Sequence, residues 1–112
     1  MFFARTVTVV PLSGRQAEVE HLLEERLDWF RSQKGFIVGM RLHNRKRPDE
    51  VGSLSLWETR DDANRVAATE HLMSLNSRLN TLAKAGKVEW GSSEVRTFVS
   101  EAEHRVPVSA KG

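Results

Sequence analysis

The chain of 112 residues contains no cysteine. That excludes a disulfide framework, a thiolate nucleophile and any cysteine-held zinc or iron–sulfur centre, and it fits a cytoplasmic protein. No apolar run approaches the roughly 20 residues that would span a bilayer, so no membrane segment is expected. The apolar start, MFFARTVTVV, lacks a basic leader and a small-residue cleavage site, and reads as a first strand rather than a signal peptide. Charge of one sign is scarce. The net charge of +2 is too small to argue for nucleic acid, and the one basic cluster, Arg45-Lys46-Arg47 before Pro48, reads as a solvated loop. No HExxH, phosphate-binding or dinucleotide glycine motif occurs. There is no internal repeat and no low-complexity tract. Hydrophobic residues at 39% and charged residues at 29% are ordinary for a globular chain of one domain.

The most informative stretch is VGSLSLWETRDDANRVAATEH, Val51 to His71. Leu54 and Leu56 alternate with Ser53, Ser55 and Trp57, which is the period of a strand with two unlike faces. Thr59 is placed to cap a helix, and Asp61 and Asp62 follow where the helix dipole favours negative charge. Trp57 therefore stands at a strand end beside a helix N-terminus, a fitting floor for a small-molecule pocket.

Taken in order, Phe2 to Val10 forms a first strand, with Val7 and Val9 opposite Thr6 and Thr8. Pro11-Leu12-Ser13-Gly14 breaks it, and Ser13 with Gln16 fits a capping box opening a helix. Ala17, Val19, Leu22, Leu23, Leu27 and Phe30 recur at about the 3.6-residue helical period. Lys34-Gly35 stops that helix. Phe36 to Leu42 is a second strand, in which Phe36, Val38, Met40 and Leu42 share a face. It pairs as a hairpin with Val51 to Trp57 across the polar turn Asn44 to Glu50. Beyond Thr59, the face of Ala63, Val66 and Ala67 is rotated from that of Leu72, Leu75, Leu79 and Leu82. A break near Thr69 to His71 is therefore expected, giving two consecutive helices, the second ended by Gly86. Val88 to Trp90 reads as extended or irregular, and Glu94 to Ser100 as the last strand. Residues 1–100 then make one domain and residues 101–112 a polar tail.

The resulting order βαββαβ predicts a ferredoxin-like α+β fold, with helices on one face of a four-stranded antiparallel sheet. The covered face is expected to bear Val7, Val9, Val38, Met40, Leu42, Leu54 and Leu56. The other face then carries Thr6, Thr8, Arg41, His43, Ser53, Ser55, Trp57, Arg96 and Phe98. That mixture of aromatics, cations and hydroxyls suits either an amphipathic cavity or a dimer interface.

The run Leu56-Trp57-Glu58-Thr59, Ala63 to Ala68 and His71 resembles the strand–helix signature of the antibiotic biosynthesis monooxygenase (ABM) domain, a family of the dimeric α+β barrel superfamily. Element order and length agree from about Phe2 to Ser100. The resemblance implies a homodimer whose sheets form a barrel, and a pocket in each subunit between sheet and helices. It also implies a cofactor-independent monooxygenase, without metal or flavin, in which an aromatic or quinol-like substrate anion itself reduces dioxygen. Arg41 and Arg96 would then supply charge, Trp57 and Phe98 a stacking surface, and His71 or His43 a base. The substrate pocket would comprise Thr6, Thr8, His43, Ser55, Trp57, Arg96 and Phe98. His71 reads somewhat better as a helix-junction residue capping backbone carbonyls. In the haem-degrading branch, an Asn, a Trp and a His stand where this chain has Thr6, Val66 and Asn76, so haem degradation is not implied. The same barrel also serves non-catalytic ligand-binding or stress-associated proteins, and isomerases or lyases.

Glu18 and His21 stand at di-iron helix spacing, but the chain lacks the second copy such a site needs, so a solvated face is expected. Lys34-Gly35-Phe36 lacks the spaced aromatics of an RNA-binding sheet. Trp29 is read as packing, and Trp90 as core or dimer seam.

Overall fold

The structure is a computed structural model and describes residues 1–99. Its elements are β1 (Phe3–Pro11), α1 (Gln16–Phe30), β2 (Phe36–His43), β3 (Val51–Trp57), α2 (Arg60–Ala67), α3 (Glu70–Thr81) and β4 (Ala83–Glu94). The strands form one antiparallel sheet in the order β2-β3-β1-β4, with the helices on one side. This is the expected ferredoxin-like βαββαβ arrangement. Val7, Val9, Val19, Leu22, Leu23 and Leu79 fill the space between the layers, and burying each side chain of this kind contributes about 1.5–3 kcal/mol.

The register corrects the expected division of faces. Directly opposed residues in an antiparallel pair share a face. Val7 opposes Ser53, and Phe3 opposes Trp57, so Ser53, Ser55 and Trp57 lie beneath the helices with Val7 and Val9. Leu54 and Leu56 lie on the open face instead. On β2, Phe36 opposes Trp57 while Val38 opposes Leu56, and an irregularity between them absorbs Ile37. That irregularity turns Phe36 toward the helices and leaves Val38, Met40 and Leu42 on the open face, each more than a third exposed. The serines tolerate burial because each has a partner. Trp57 Nε1 donates to Ser55 Oγ at 2.9 Å, and an Arg26 guanidinium nitrogen donates to Ser53 Oγ at 3.3 Å.

Further expectations are corrected, and α3 ends at Thr81 with Leu82 as its C-cap rather than at Gly86. Ser13 does not cap α1. The helix begins at Gln16 from Arg15, whose side chain pairs with Glu18, because Gly14 at φ +78° turns the chain first. The last strand is Ala83–Glu94 rather than Glu94 to Ser100. Its alternation is hidden because residues 84–87, including Gly86 at φ +74°, loop out between the pairs Pro11–Ala83 and Val9–Val88. After Glu94 β1 has no further residue to offer, and Val95 makes one last backbone bond to Phe2. The expected tail, residues 101–112, lies outside the described residues.

The break between α2 and α3 falls at Ala68-Thr69, where Thr69 caps α3 by accepting from the Leu72 N–H. Thr59 caps α2 by accepting from the Asp62 N–H at 3.0 Å. The Asp62 carboxylate in turn accepts from Arg65 at 2.8 Å, close against Gly35. A Cβ at Gly35 would overlap that carboxylate, and its φ of +88° independently favours glycine. The hydrogen bond from Arg65, aided by Thr59, holds the Asp62 carboxyl below its ordinary value of 3.8 against the opposing effect of burial. A depressed folded-state value stabilises the fold above the unfolded value, and the contribution is lost as pH falls through the folded one. Asp62→Asn is therefore expected to cost about 1 kcal/mol at pH 7. Its deficit relative to the parent protein should shrink below about pH 4. Urea unfolding at several pH values checks this, and a deficit independent of pH would refute it.

Candidate functional site

A cavity of about 140 Å³ lies between the sheet and the three helices. α1 presents Arg26 and Phe30, one helical turn apart. β3 supplies Ser53, Ser55 and Trp57, and β4 supplies Trp90. Ala63, Val66, Ala67, Leu72 and Asn76 of α2 and α3 form the roof. Phe30 and Trp57 meet edge to face with centroids 5.2 Å apart, so the inner wall is a fixed aromatic surface.

Arg26 dominates the electrostatics. It is 7% exposed. Its Nε donates to Asn76 Oδ1 at 2.9 Å, and its guanidinium lies 5.3 Å from the Phe30 centroid and 5.8 Å from that of Trp90. Among the described residues it has no carboxylate partner. Burial lowers its pKa to about 10, which leaves it protonated at neutral pH. The wall includes a second cation, Arg5 of β1, and neither Asp, Glu nor His. Arg5 donates to Asn64 and leans over Phe3, but its Nε is shielded from water and has no partner. Burial lowers its pKa as well. Isolated buried charge is costly, so the buried Arg26 guanidinium in an acid-free wall, with the partly buried Arg5 beside it, suits an anion.

The residues expected from the sequence are divided by the structure. Ser55 and Trp57 are in the wall. Thr6 borders the cavity, though its side chain stands on the open face beside Gly91. Thr8 is on the open face too. Arg41 binds Glu20 and Glu24 of α1 and, with His43, lines a separate open groove of about 240 Å³ at the β2 edge. His43 Nε2 lies 2.7 Å from the Pro48 carbonyl. His71 is exposed and stacks on Trp29 with centroids 4.6 Å apart, outside the cavity. Arg96 is exposed beyond β4, and Phe98 packs edge to face on Phe2. Among the described residues no cluster of His, Asp or Glu could hold a metal.

Arg5, Arg26, Asn76 and Trp90 were not foreseen. One signal was available for Arg26: it falls in the stripe Val19, Leu22, Leu23, Phe30, where a charge interrupts an apolar face.

No protein-family model matches the chain, and no curated protein sequence matches it. Solved structures do. SnoaB, a cofactor-independent oxygenase from Streptomyces nogalater, in a single-site variant, is 20% identical with a TM-score of 0.77, covering 89% of this chain and 98% of its own. Rv0793 from Mycobacterium tuberculosis is 12% identical with a TM-score of 0.79, over 89% of this chain and 100% of that one. A candidate antibiotic biosynthesis monooxygenase from Deinococcus radiodurans is 12% identical with a TM-score of 0.77, over 89% and 97%. The fold is thus the one shared by ABM-type proteins.

Proposed function

We propose that this protein is a small cofactor-independent monooxygenase acting on an aromatic, quinol-like compound. The observation that carries the reading is the acid-free cavity, walled in part by Trp57, in which Arg26 lies over the aromatic rings of Phe30 and Trp90. Likeness in fold to SnoaB, itself a cofactor-independent oxygenase, supports it.

The chemistry follows from the wall. A phenol held against Trp57 with its oxygen toward Arg26 is stabilised as the phenolate, because a fixed, largely buried cation lowers the cost of the anion. With no Asp, Glu or His in the wall, the proton leaves to water. The phenolate is electron-rich and donates electrons to dioxygen. A carbon–oxygen bond forms at a ring carbon bearing hydrogen, giving a hydroperoxide, and loss of water leaves a quinone. One oxygen atom ends on the ring and the other in water, and the substrate supplies every electron. The lack of an acid or base in the wall speaks against an isomerase or lyase, which must move protons between carbon atoms.

The reading includes a homodimer. Val38, Met40 and Leu42 of β2, with Leu54 of β3, form an apolar strip on the open face. A second copy of that face would cover it.

An oxygen electrode tests the activity. With hydroxylated aromatic compounds, excess chelator and no added flavin, about one dioxygen should be consumed per quinone formed. A protein that binds such compounds without oxygen uptake would be a binding protein, and the monooxygenase reading would fall.

A further inference from the structure

We infer that Asn76 is a positioning residue: its neutral amide holds the Arg26 guanidinium in place without cancelling the charge, so that the cavity selects the anionic form of a phenol. This deepens, and rests on, the reading of the cavity as the substrate site. Two helices each carry one polar residue on an apolar stripe. Arg26 follows Leu22 and Leu23 on α1, and Asn76 stands among Leu72, Leu75 and Leu79 on α3. The two meet, with Arg26 Nε donating to Asn76 Oδ1 at 2.9 Å, while Nη1 donates to Ser53 Oγ at 3.3 Å. Nη2 has no acceptor among the described residues. Nor is it closed off, since the one unpartnered side-chain polar atom shielded from water among them is Arg5 Nε. Arg26, Asn76 and Ser53 all line the cavity. The guanidinium is thus gripped through two of its nitrogens and open at the third.

An acid at position 76 would hold Arg26 more firmly. Aspartate has the shape of asparagine, and its charge would strengthen the same hydrogen bond to the guanidinium. It would also cancel the cation. The amide fixes the same nitrogen and leaves the charge uncompensated, an arrangement that costs stability and serves a site where an anion arrives. Nothing else in the wall cancels that charge, because the wall contains neither Asp, Glu nor His. A phenolate oxygen meeting Nη2 completes the hydrogen bonds and the charge balance together, whereas a neutral phenol completes only the first. The site therefore discriminates by protonation state, and Asn76 sets that discrimination through Arg26.

The test is anaerobic binding to the full chain of 4-nitrophenol, whose phenolate is coloured, and of 4-nitroanisole, which has no acidic proton. The parent protein should lower the pKa of bound 4-nitrophenol by about one unit, equivalent to about a 10-fold preference for the phenolate. Asn76→Asp should bind the phenolate at least about 10-fold more weakly and return the bound pKa to the free value or above it. Its affinity for 4-nitroanisole should be unchanged. Asn76→Ala, which frees the guanidinium but keeps its charge, should show a reduced shift of the same sign. Melting followed by circular dichroism should rank Asn76→Asp above Asn76→Ala, whereas phenolate affinity should rank them the other way. A residue that only supported the fold would give the same ranking in both. That result, equal losses for the two probes, parent-like phenolate binding by Asn76→Asp, or no lowered pKa in the parent would each overturn the inference. If Asn76→Asp failed to fold, a parent-like pKa in Asn76→Ala would overturn it instead. The expected titrations without oxygen uptake in air would remove the monooxygenase reading and leave this inference standing. Parent-like phenolate binding by Asn76→Asp with oxygen uptake intact would do the reverse.

Discussion

Trp57→Ala is expected to lower the unfolding free energy by about 4 kcal/mol, as other large-to-small aromatic replacements in cores do. Trp57 is 1% exposed and among the largest fully buried side chains in the protein. It meets Phe30 and Phe36 edge to face, with centroids 5.2 and 5.4 Å away, and donates to Ser55. Removing it loses the transfer energy of the indole, leaves a void beside an existing cavity, and strands the Ser55 hydroxyl in an apolar layer. Against a typical total of about 5–15 kcal/mol, that is a large share. At roughly 4–8 °C per kcal/mol for a domain of this size, the melting temperature should fall by about 15–30 °C. Trp57→Phe keeps the ring contacts and loses only the second ring and the N–H, so it should cost about 1–2 kcal/mol. Thermal unfolding followed by circular dichroism measures both. A loss below 1 kcal/mol for Trp57→Ala would mean that the sheet and helices are not keyed together through this residue.

Trp57 also illustrates how far the sequence could be read. Its strand, its position before the Thr59 cap and the pocket beside it were legible, because alternation, capping and helix breaks are local signals. Which face of the sheet it joined was not, because that depends on register between strands far apart in sequence. The pairing of Val7 with Ser53 puts two serines under the helices and two leucines on the open face. Hydrophobicity alone argues for the reverse. A side-chain period of two makes any such choice all-or-none for a strand. β4 is hard to read for a related reason. Its sequence, AKAGKVEWGSSE, is polar, and residues 84–87 break its pairing, so the pattern shows little of the ladder it makes with β1. Arg26 is hard to read because its neighbours Leu22, Leu23 and Phe30 mark the face as core, and a charge there reads as a side chain reaching out to solvent. The structure instead shows it turned inward with neutral partners.

The same reversal of faces has a second large consequence. Met40→Asp is expected to convert the proposed homodimer into a monomer without unfolding it. Met40 lies opposite Leu54 on the open face and is 43% exposed, so in the isolated chain an aspartate there remains hydrated and costs little. In a dimer related by two-fold symmetry the same patch is used by both copies, so each substitution places two carboxylates in the apolar seam. Burying an unpaired charge costs several kcal/mol, and about 2.7 kcal/mol already corresponds to 100-fold in the dissociation constant. The dissociation constant should therefore rise at least 100-fold, seen by light scattering on a size-exclusion column, while circular dichroism and melting at low concentration change little. Asp28→Glu, a charge-conserving change at an exposed position of α1 on the other side of the sheet, should leave the assembly unaltered. If Met40→Asp remained dimeric, association would have to use another surface, and the apolar strip of β2 and β3 would need a different occupant. If both the parent and the variant were monomeric, the dimer would fall, but the cavity would not. Arg26 is held within one chain, by Asn76 and Ser53.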